Sequence, residues 1–131
     1  MYSVTEAAEL EVITPNEPGI LGRVLGTLAN GGINLRALCA TSEEDHGRFQ
    51  MVTSDNAKAE KALRTLGYKV KSRKVVLVEI GDRIGGGAEI GALLGNAVID
   101  IRYAYGTSSG GGKTLLVFQT SNNRKAIETL S

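Results

Sequence analysis

The sequence predicts an α+β chain in which one βαββαβ unit is written twice, the second copy lacking its final strand. Two observations lead there. A strand at 10–13 passes through the turn Pro15-Asn16-Glu17-Pro18-Gly19 directly into an amphipathic helix, whose Leu21, Val24, Leu25 and Leu28 recur at the i, i+3, i+4, i+7 spacing of one buried face. Residue types then repeat at a constant spacing of 66 positions: Val12 with Val78, Asn16 with Asp82, Gly19 with Gly85, Val24 with Ile90, Leu28 with Leu94, Asn34 with Asp100 and Arg36 with Arg102.

In the first copy, Pro18 presets φ for the turn, and Gly19 lets the backbone pass close to whatever lies before the helix. The free N–H groups at 19–21 sit at the positive end of the helix dipole, which favours a carboxylate or another anion. Gly31 and Gly32 close the helix. Over 33–41, Ile33, Leu35, Ala37 and Cys39 alternate with Asn34, Arg36, Leu38 and Ala40, which predicts a strand with one face on a core. The polar turn 42–47 returns the chain into 48–53, forming a β-hairpin. Ser54 and Asp55 are placed to cap a second helix over 56–66, ended by Gly67, and 68–71 reads as a short fourth strand.

Past the second hairpin the spacing becomes 67, aligning Thr53-Ser54-Asp55-Asn56 with Thr120-Ser121-Asn122-Asn123, as one inserted hairpin residue requires. The expected organisation is a first repeat over 1–72 and a second over 73–131. The second copy stops after its second helix. In a sheet ordered 4-1-3-2 this leaves the strand at 75–80 with an unpaired edge, for which residues 2–7 or a strand from a second molecule are the candidate partners. Val75-Val76-Leu77-Val78-Glu79-Ile80 is also apolar on both faces while helices cover only one; a second sheet or a second chain is left to cover the other, and a homodimer is expected.

Composition narrows the partners. With 15 basic and 14 acidic residues the net charge is +1, which gives no electrostatic case for nucleic acid or an anionic membrane. Aromatic residues make up 5%, too few for base-stacking platforms. A single cysteine, Cys39, excludes an intrachain disulfide and a cysteine-rich metal site. No apolar run approaches the roughly 18 residues of a membrane span. The first ten residues lack the basic cap and apolar core of a secretion signal, so a cytoplasmic protein is expected.

With the repeat and both turn-helix junctions in place, residues 11–130 resemble the small stand-alone proteins made of two ACT repeats. The resemblance is carried by Asn16-Glu17-Pro18-Gly19-Ile20-Leu21 with Gly31-Gly32-Ile33-Asn34-Leu35, by Asp82-Arg83-Ile84-Gly85-Gly86 with Ala88-Glu89, and by Val98-Ile99-Asp100-Ile101. It implies a ferredoxin-like sandwich that binds a small ligand, usually an amino acid, where two ACT units meet, as a non-catalytic sensor without cofactor or metal. In that family the ligand carboxylate lies on backbone N–H groups of the first turn-helix junction, and an Asn or Asp at the start of the second strand holds the amino group. The matching ligand-binding positions are Asn16, Gly19, Ile20, Leu21 and Asn34 in the first repeat, and Asp82, Gly85, Gly86, Gly87 and Asp100 in the second. The second copy departs from the pattern, with Ile84 for the proline and Gly87 for the apolar residue at the helix start. That loop loses more entropy on ordering. One asymmetric site is expected in place of two equal ones, the first repeat taking the acid end of the ligand and the second, with Asp82 and Asp100, the amine end.

Other motifs have plainer readings. Gly106-Thr107-Ser108-Ser109-Gly110-Gly111-Gly112-Lys113-Thr114 resembles a phosphate-binding loop, but its first glycine is one place early and a strand follows where a helix is required, so a hairpin loop is expected. Gly85, Gly87 and Gly91 suggest a dinucleotide fingerprint, with too few residues left for the sheet it needs. His46 reads as part of a solvated turn, Cys39 as a small buried hydrophobe, and Tyr103 and Tyr105 as inward-facing core. Asn34 and Asp100 suit a backbone-bonding role as well as a ligand, and Arg36 and Arg102, on the same face, a solvated one.

Two further functions fit the scaffold. An acylphosphatase-like hydrolase needs an arginine in the first loop to grip phosphate, whereas Glu17 occupies it and Arg23 lies inside the helix; no nucleophile, base and orienting partner recur together. An RNA-binding module presents aromatics on its central strands, and Phe49 and Phe118 are the only phenylalanines. A purely structural interaction module is the remaining alternative.

Overall fold

The computed structural model describes residues 2–108 and 111–131. The elements run β1 (Ser3–Pro15), α1 (Ile20–Asn30), β2 (Leu35–Ser42), β3 (His46–Thr53), α2 (Asn56–Thr65), β4 (Lys69–Gly81), α3 (Gly86–Asn96), β5 (Ile101–Ser108), β6 (Lys113–Thr120) and α4 (Asn123–Leu130). They group into two compact units. Ala8–Arg73 forms the first-repeat unit, and residues 2–7 together with Lys74–Ser131 form the second-repeat unit.

In the first-repeat unit neighbouring strands follow the order β2-β3-β1-β4, and in the second-repeat unit β1-β4-β6-β5. Both are the expected 4-1-3-2 arrangement, because the front of β1 supplies the strand that the second copy lacks. The strand expected at 10–13 is therefore the rear of a 13-residue strand. Likewise the two strands expected at 68–71 and 75–80 are one strand, β4, also of 13 residues. No glycine or proline interrupts residues 69–80, and nothing else there breaks a strand. Of the two candidate partners for the edge at 75–80, the N-terminal segment is the one found. The 66-residue spacing extends to it: Tyr2 and Val4 pack against the second core as Tyr68 and Val70 pack against the first.

Each core lies between a helix pair and one sheet face. Val24 and Leu28 of α1 and Ala59 and Leu63 of α2 close over Leu10, Val12, Phe49 and Met51. Ile90 and Leu94 of α3 and Ala126 and Leu130 of α4 close over Val76, Val78 and Phe118. The helices start where the caps dictate. The Asp55 carboxylate accepts from the Lys58 N–H at 3.1 Å, and the Asn122 side chain from the Lys125 N–H at 3.0 Å. One residue on, Asn56 bonds Thr53 and donates to the Ala8 carbonyl at 2.8 Å, while Asn123 bonds Thr120 and donates to the Lys74 carbonyl at 2.9 Å. The same bonds thus tie α2 to β1 and α4 to β4.

The alternation predicted for 33–41 fails after Leu35. The register of β2 on β3 shifts between Leu35 and Ala37, a bulge that turns the following side chains over. Leu35 and Leu38 consequently pack on the first core, and Cys39 is half-buried off it. The same shift between Ile101 and Tyr103 keeps Ile101 on the second core and leaves Tyr103 and Tyr105 stacked on each other, ring centroids 6.4 Å apart, off it. His46 opens β3 at the exposed hairpin turn, and its two ring nitrogens lie 2.7 Å from Asp45 and 3.2 Å from Glu43.

Val75 and Leu77 point away from the second helical core, yet both are buried within the single chain. The two-faced apolarity of this strand therefore gives no argument for a second copy. Their first-repeat counterparts are Glu9 and Glu11. The Glu11 carboxylate is gripped from both sides, by Arg48 at 2.9 Å and Arg73 at 3.0 Å. Of the glycine-rich stretch, Ser109 and Gly110 lie outside the described residues; β5 ends at Ser108 and β6 begins at Lys113, with Ser108 opposite Thr114. Among the described residues no helix is long and apolar enough to cross a membrane.

Candidate functional site

In the first-repeat unit the turn after β1 enters α1 through Gly19, whose φ of 88° is left-handed and open to glycine at little cost. The Ile20 N–H bonds back to the Glu17 carbonyl at 3.3 Å, so it is not one of the free donors expected there. The N–H groups of Gly19 and Leu21 have no partner among the described residues. Asn16 donates from its side-chain amide to the Glu43 carbonyl at 2.9 Å, which joins the turn to the β2–β3 hairpin. Ile20 packs partly on the core, and Leu21 is exposed.

Between this turn and the hairpin lies a cleft of about 200 Å³, lined by Asn16, Ile20, Leu21, Ala40, Thr41, Ser42, Gly47 and Phe49. Three of the five first-repeat positions matched to the family line it. Asn34 does not. It sits beyond the far end of α1, whose eleven residues span about 16 Å. There its N–H bonds the Ser54 hydroxyl at 2.9 Å and its carbonyl accepts from the Ser54 N–H at 2.9 Å.

The second-repeat unit repeats this frame with different side chains. Gly85 is left-handed at φ 85°, Gly86 opens α3 with its N–H bonded to the Arg83 carbonyl at 3.2 Å, and Gly87 has open space around it. Asp82 receives the Ser108 hydroxyl at 2.7 Å. Asp100 lies beyond the far end of α3 and makes the same reciprocal bonds with Ser121, at 3.0 and 2.8 Å, that Asn34 makes with Ser54. In both repeats the turn-helix residues gather at one end of the first helix, and the strand-start residue is held at the other.

Across each turn runs an ion pair that the sequence reading missed. Arg23 binds Glu17 at 2.9 Å, and at the equivalent positions Arg83 binds Glu89 at 2.7 Å with the two charges exchanged. A tyrosine joins each. A hydrogen bond with Tyr68, then one with Glu17, holds the Arg23 guanidinium above the usual arginine range. The Tyr2 hydroxyl donates to Glu89 and, followed by Arg83, keeps that carboxyl below its ordinary value. The signal was present at the 66-residue spacing, as Glu17 with Arg83, Arg23 with Glu89 and Tyr2 with Tyr68; a reversed charge is easily passed over when matches are sought by identity. Among the described residues no three potential metal-ligating side chains cluster.

Two turn-capped βαββαβ units of this kind define a class of paired α+β modules. Over residues 5–131 the chain matches the family model described as an ACT domain pair. It belongs to that family. Among solved structures it is similar to protein BT0572 from Bacteroides thetaiotaomicron, at 31% identity and a TM-score of 0.89 over 97% of this chain and 88% of that one. The ligand-free regulatory subunit of aspartate kinase from Thermus thermophilus follows at 14% identity and a TM-score of 0.72, over 98% and 93% of the two chains. The corresponding subunit from Thermus flavus gives 16% and 0.67, over 98% and 94%. The last two likenesses concern the fold. No curated protein matches.

Proposed function

We propose that the chain is a non-catalytic regulatory module that binds an amino acid. The observation that carries this reading is the cleft beside the Asn16–Leu21 turn, lined by the Asn16 amide and by an apolar wall of Ile20, Leu21 and Phe49, in a turn whose Gly19 and Leu21 N–H groups have no partner among the described residues. An α-carboxylate suits the N–H groups, an ammonium suits the amide oxygen, and the ligand's remainder suits the wall. Membership of the ACT domain pair family supports it, and the aspartate kinase regulatory subunits supply a fold-level analogy for a regulatory role. Asn16, Gly19, Ile20 and Leu21 are the proposed first-repeat contacts; Asp82, Gly85, Gly86 and Gly87 are their counterparts, with Asn34 and Asp100 as strand-start positions.

The hydrolase alternative is weakened because both turn arginines are held by carboxylates and neither is free to grip a phosphoryl group. A cytoplasmic homodimer belongs to the same reading. Light scattering coupled to gel filtration decides the mass. A thermal-shift screen of the twenty amino acids tests the ligand. At 100 times its dissociation constant a ligand stabilises by about 2.7 kcal/mol, visible as several degrees in a chain of this size. If none of the twenty shifts the midpoint, amino-acid binding is wrong.

A further inference from the structure

The two repeats offer different walls at the same place. In the first, Phe49 and Ala40 face each other across the β2–β3 ladder, and Ile20 and Leu21 complete an apolar lining. Counted by the repeat spacing, their counterparts are Leu116, Gly106, Gly86 and Gly87, so three of the four apolar side chains are reduced to hydrogen. The register confirms the match, since Gly106 lies opposite Leu116 as Ala40 lies opposite Phe49. The vacated space is taken from within. A methyl group on Gly106 would lie 2.4 Å from a Leu116 methyl, and one on Gly86 would lie 2.9 Å from the end of Ile80. Asp82, the counterpart of Asn16, is already engaged by Ser108, the counterpart of Ser42.

We propose that the chain takes a single ligand, in the first-repeat cleft, and that this ligand is an amino acid with a small uncharged apolar side chain. The proposal rests on the amino-acid-binding reading above and narrows it. No charged side chain lines the cleft, so a ligand bearing a second charge would be desolvated there without a partner. Its volume of about 200 Å³ is below the 300–1,000 Å³ of sites for drug-sized molecules, which sets an upper limit on size. At the equivalent position of the second repeat the glycines leave no wall for an apolar group, and the retained turn would hold at most the polar end of a ligand.

The test is a titration of the full chain with L-valine, L-leucine, L-aspartate and L-lysine, followed by amide NMR for location and calorimetry for stoichiometry. Valine or leucine should saturate at one equivalent per chain and shift the amides of Asn16, Leu21, Ala40 and Gly47, leaving those of Asp82, Gly87 and Gly106 in place. Aspartate and lysine should bind at least about tenfold more weakly, the scale on which an apolar pocket discriminates. Ala40→Leu, on an exposed position of β2, should weaken valine by at least as much while the rest of the amide spectrum is retained; a spectrum lost altogether leaves the wild-type amide map to decide. Two equivalents per chain, shifts centred on the second repeat, or preference for a charged amino acid each overturn this inference and leave amino-acid binding standing. Absence of binding by any of the twenty amino acids overturns both.

Discussion

The Tyr2 hydroxyl donates to the carboxylate of Glu89, so the front of β1 is fastened at the head of a helix 87 positions further along the chain. In the first repeat Tyr68 takes the corresponding place beside Arg23 and is the first cause holding its guanidinium above the usual arginine range. Each fastening lets a strand, a turn and a helix start report on one another.

Replacing Tyr2 with Phe should raise the Glu89 carboxyl toward the ordinary glutamate value, because the Tyr2 hydrogen bond is the first cause of its depression and Arg83 the second. A carboxyl depressed in the folded state adds stability that is present above the unfolded value, about 4.3, and lost as the pH falls through the lower folded value. The variant should therefore lose its stability advantage over that acid window earlier than the parent. Carboxyl-carbon NMR titration of Glu89 checks it; an unchanged midpoint would refute the linkage.

Removing residues 1–7 should strip the second-repeat unit of its fourth strand and of the Tyr2 and Val4 packing. Burying one valine-sized side chain is worth about 1.5–3 kcal/mol, so loss of the segment should make the unit marginal. Hydrogen exchange should accelerate at the β4 amides over 74–80 and stay slow at Leu10 and Val12. The bared edge should also promote concentration-dependent association.

Val98 should be replaceable by glycine with a gain. It holds φ at 57° where its first-repeat counterpart, Gly32, holds 69°. A left-handed conformation costs an L residue about 1–2 kcal/mol, offset in part by the greater unfolded-state freedom of glycine. Val98 is exposed, so no packing is lost. Val98→Gly should raise stability by about 0.5–1 kcal/mol by denaturant titration; destabilisation would show that this side chain has a partner.

Glu11→Leu, which copies the second-repeat residue Leu77, should destabilise by about 1–3 kcal/mol, since it leaves Arg48 and Arg73 facing an apolar group in a partly buried place. Adding Arg48→Leu and Arg73→Ala, which copies Leu115 and Ala7, should recover most of the loss, as replacement of a whole buried ionic cluster by apolar groups often does. A triple variant no more stable than the single one would contradict this.

The fold was legible wherever one residue answered another at a fixed spacing. The α1 face at Val24 and Leu28 and the cap at Asp55 followed from local pattern, and the 4-1-3-2 order from the βαββαβ succession of elements. The front of β1 was not, because Ser3-Val4-Thr5-Glu6-Ala7 carries one strongly apolar side chain and its place is fixed by a partner strand some 70 positions later. The bulge after Leu35 escaped for a similar reason: an extra residue changes nothing in the sequence and everything in which side chain faces inward. At the proposed site the sequence points to the turn but not to the cleft beside it, since the cleft's wall is made by Ala40 and Phe49, ordinary strand residues that become a surface only when the hairpin closes on the turn.

The first-repeat unit occupies one uninterrupted stretch of chain, while the second-repeat unit is made of two pieces with the whole of the first between them. Once the inserted unit is folded, it holds residues 2–7 within reach of β4 and cuts the entropy of closing that long loop. If it unravels, the tether lengthens to dozens of free residues and the borrowed strand is released. Loss of the first unit should therefore drag the second with it, giving one melting transition from two cores.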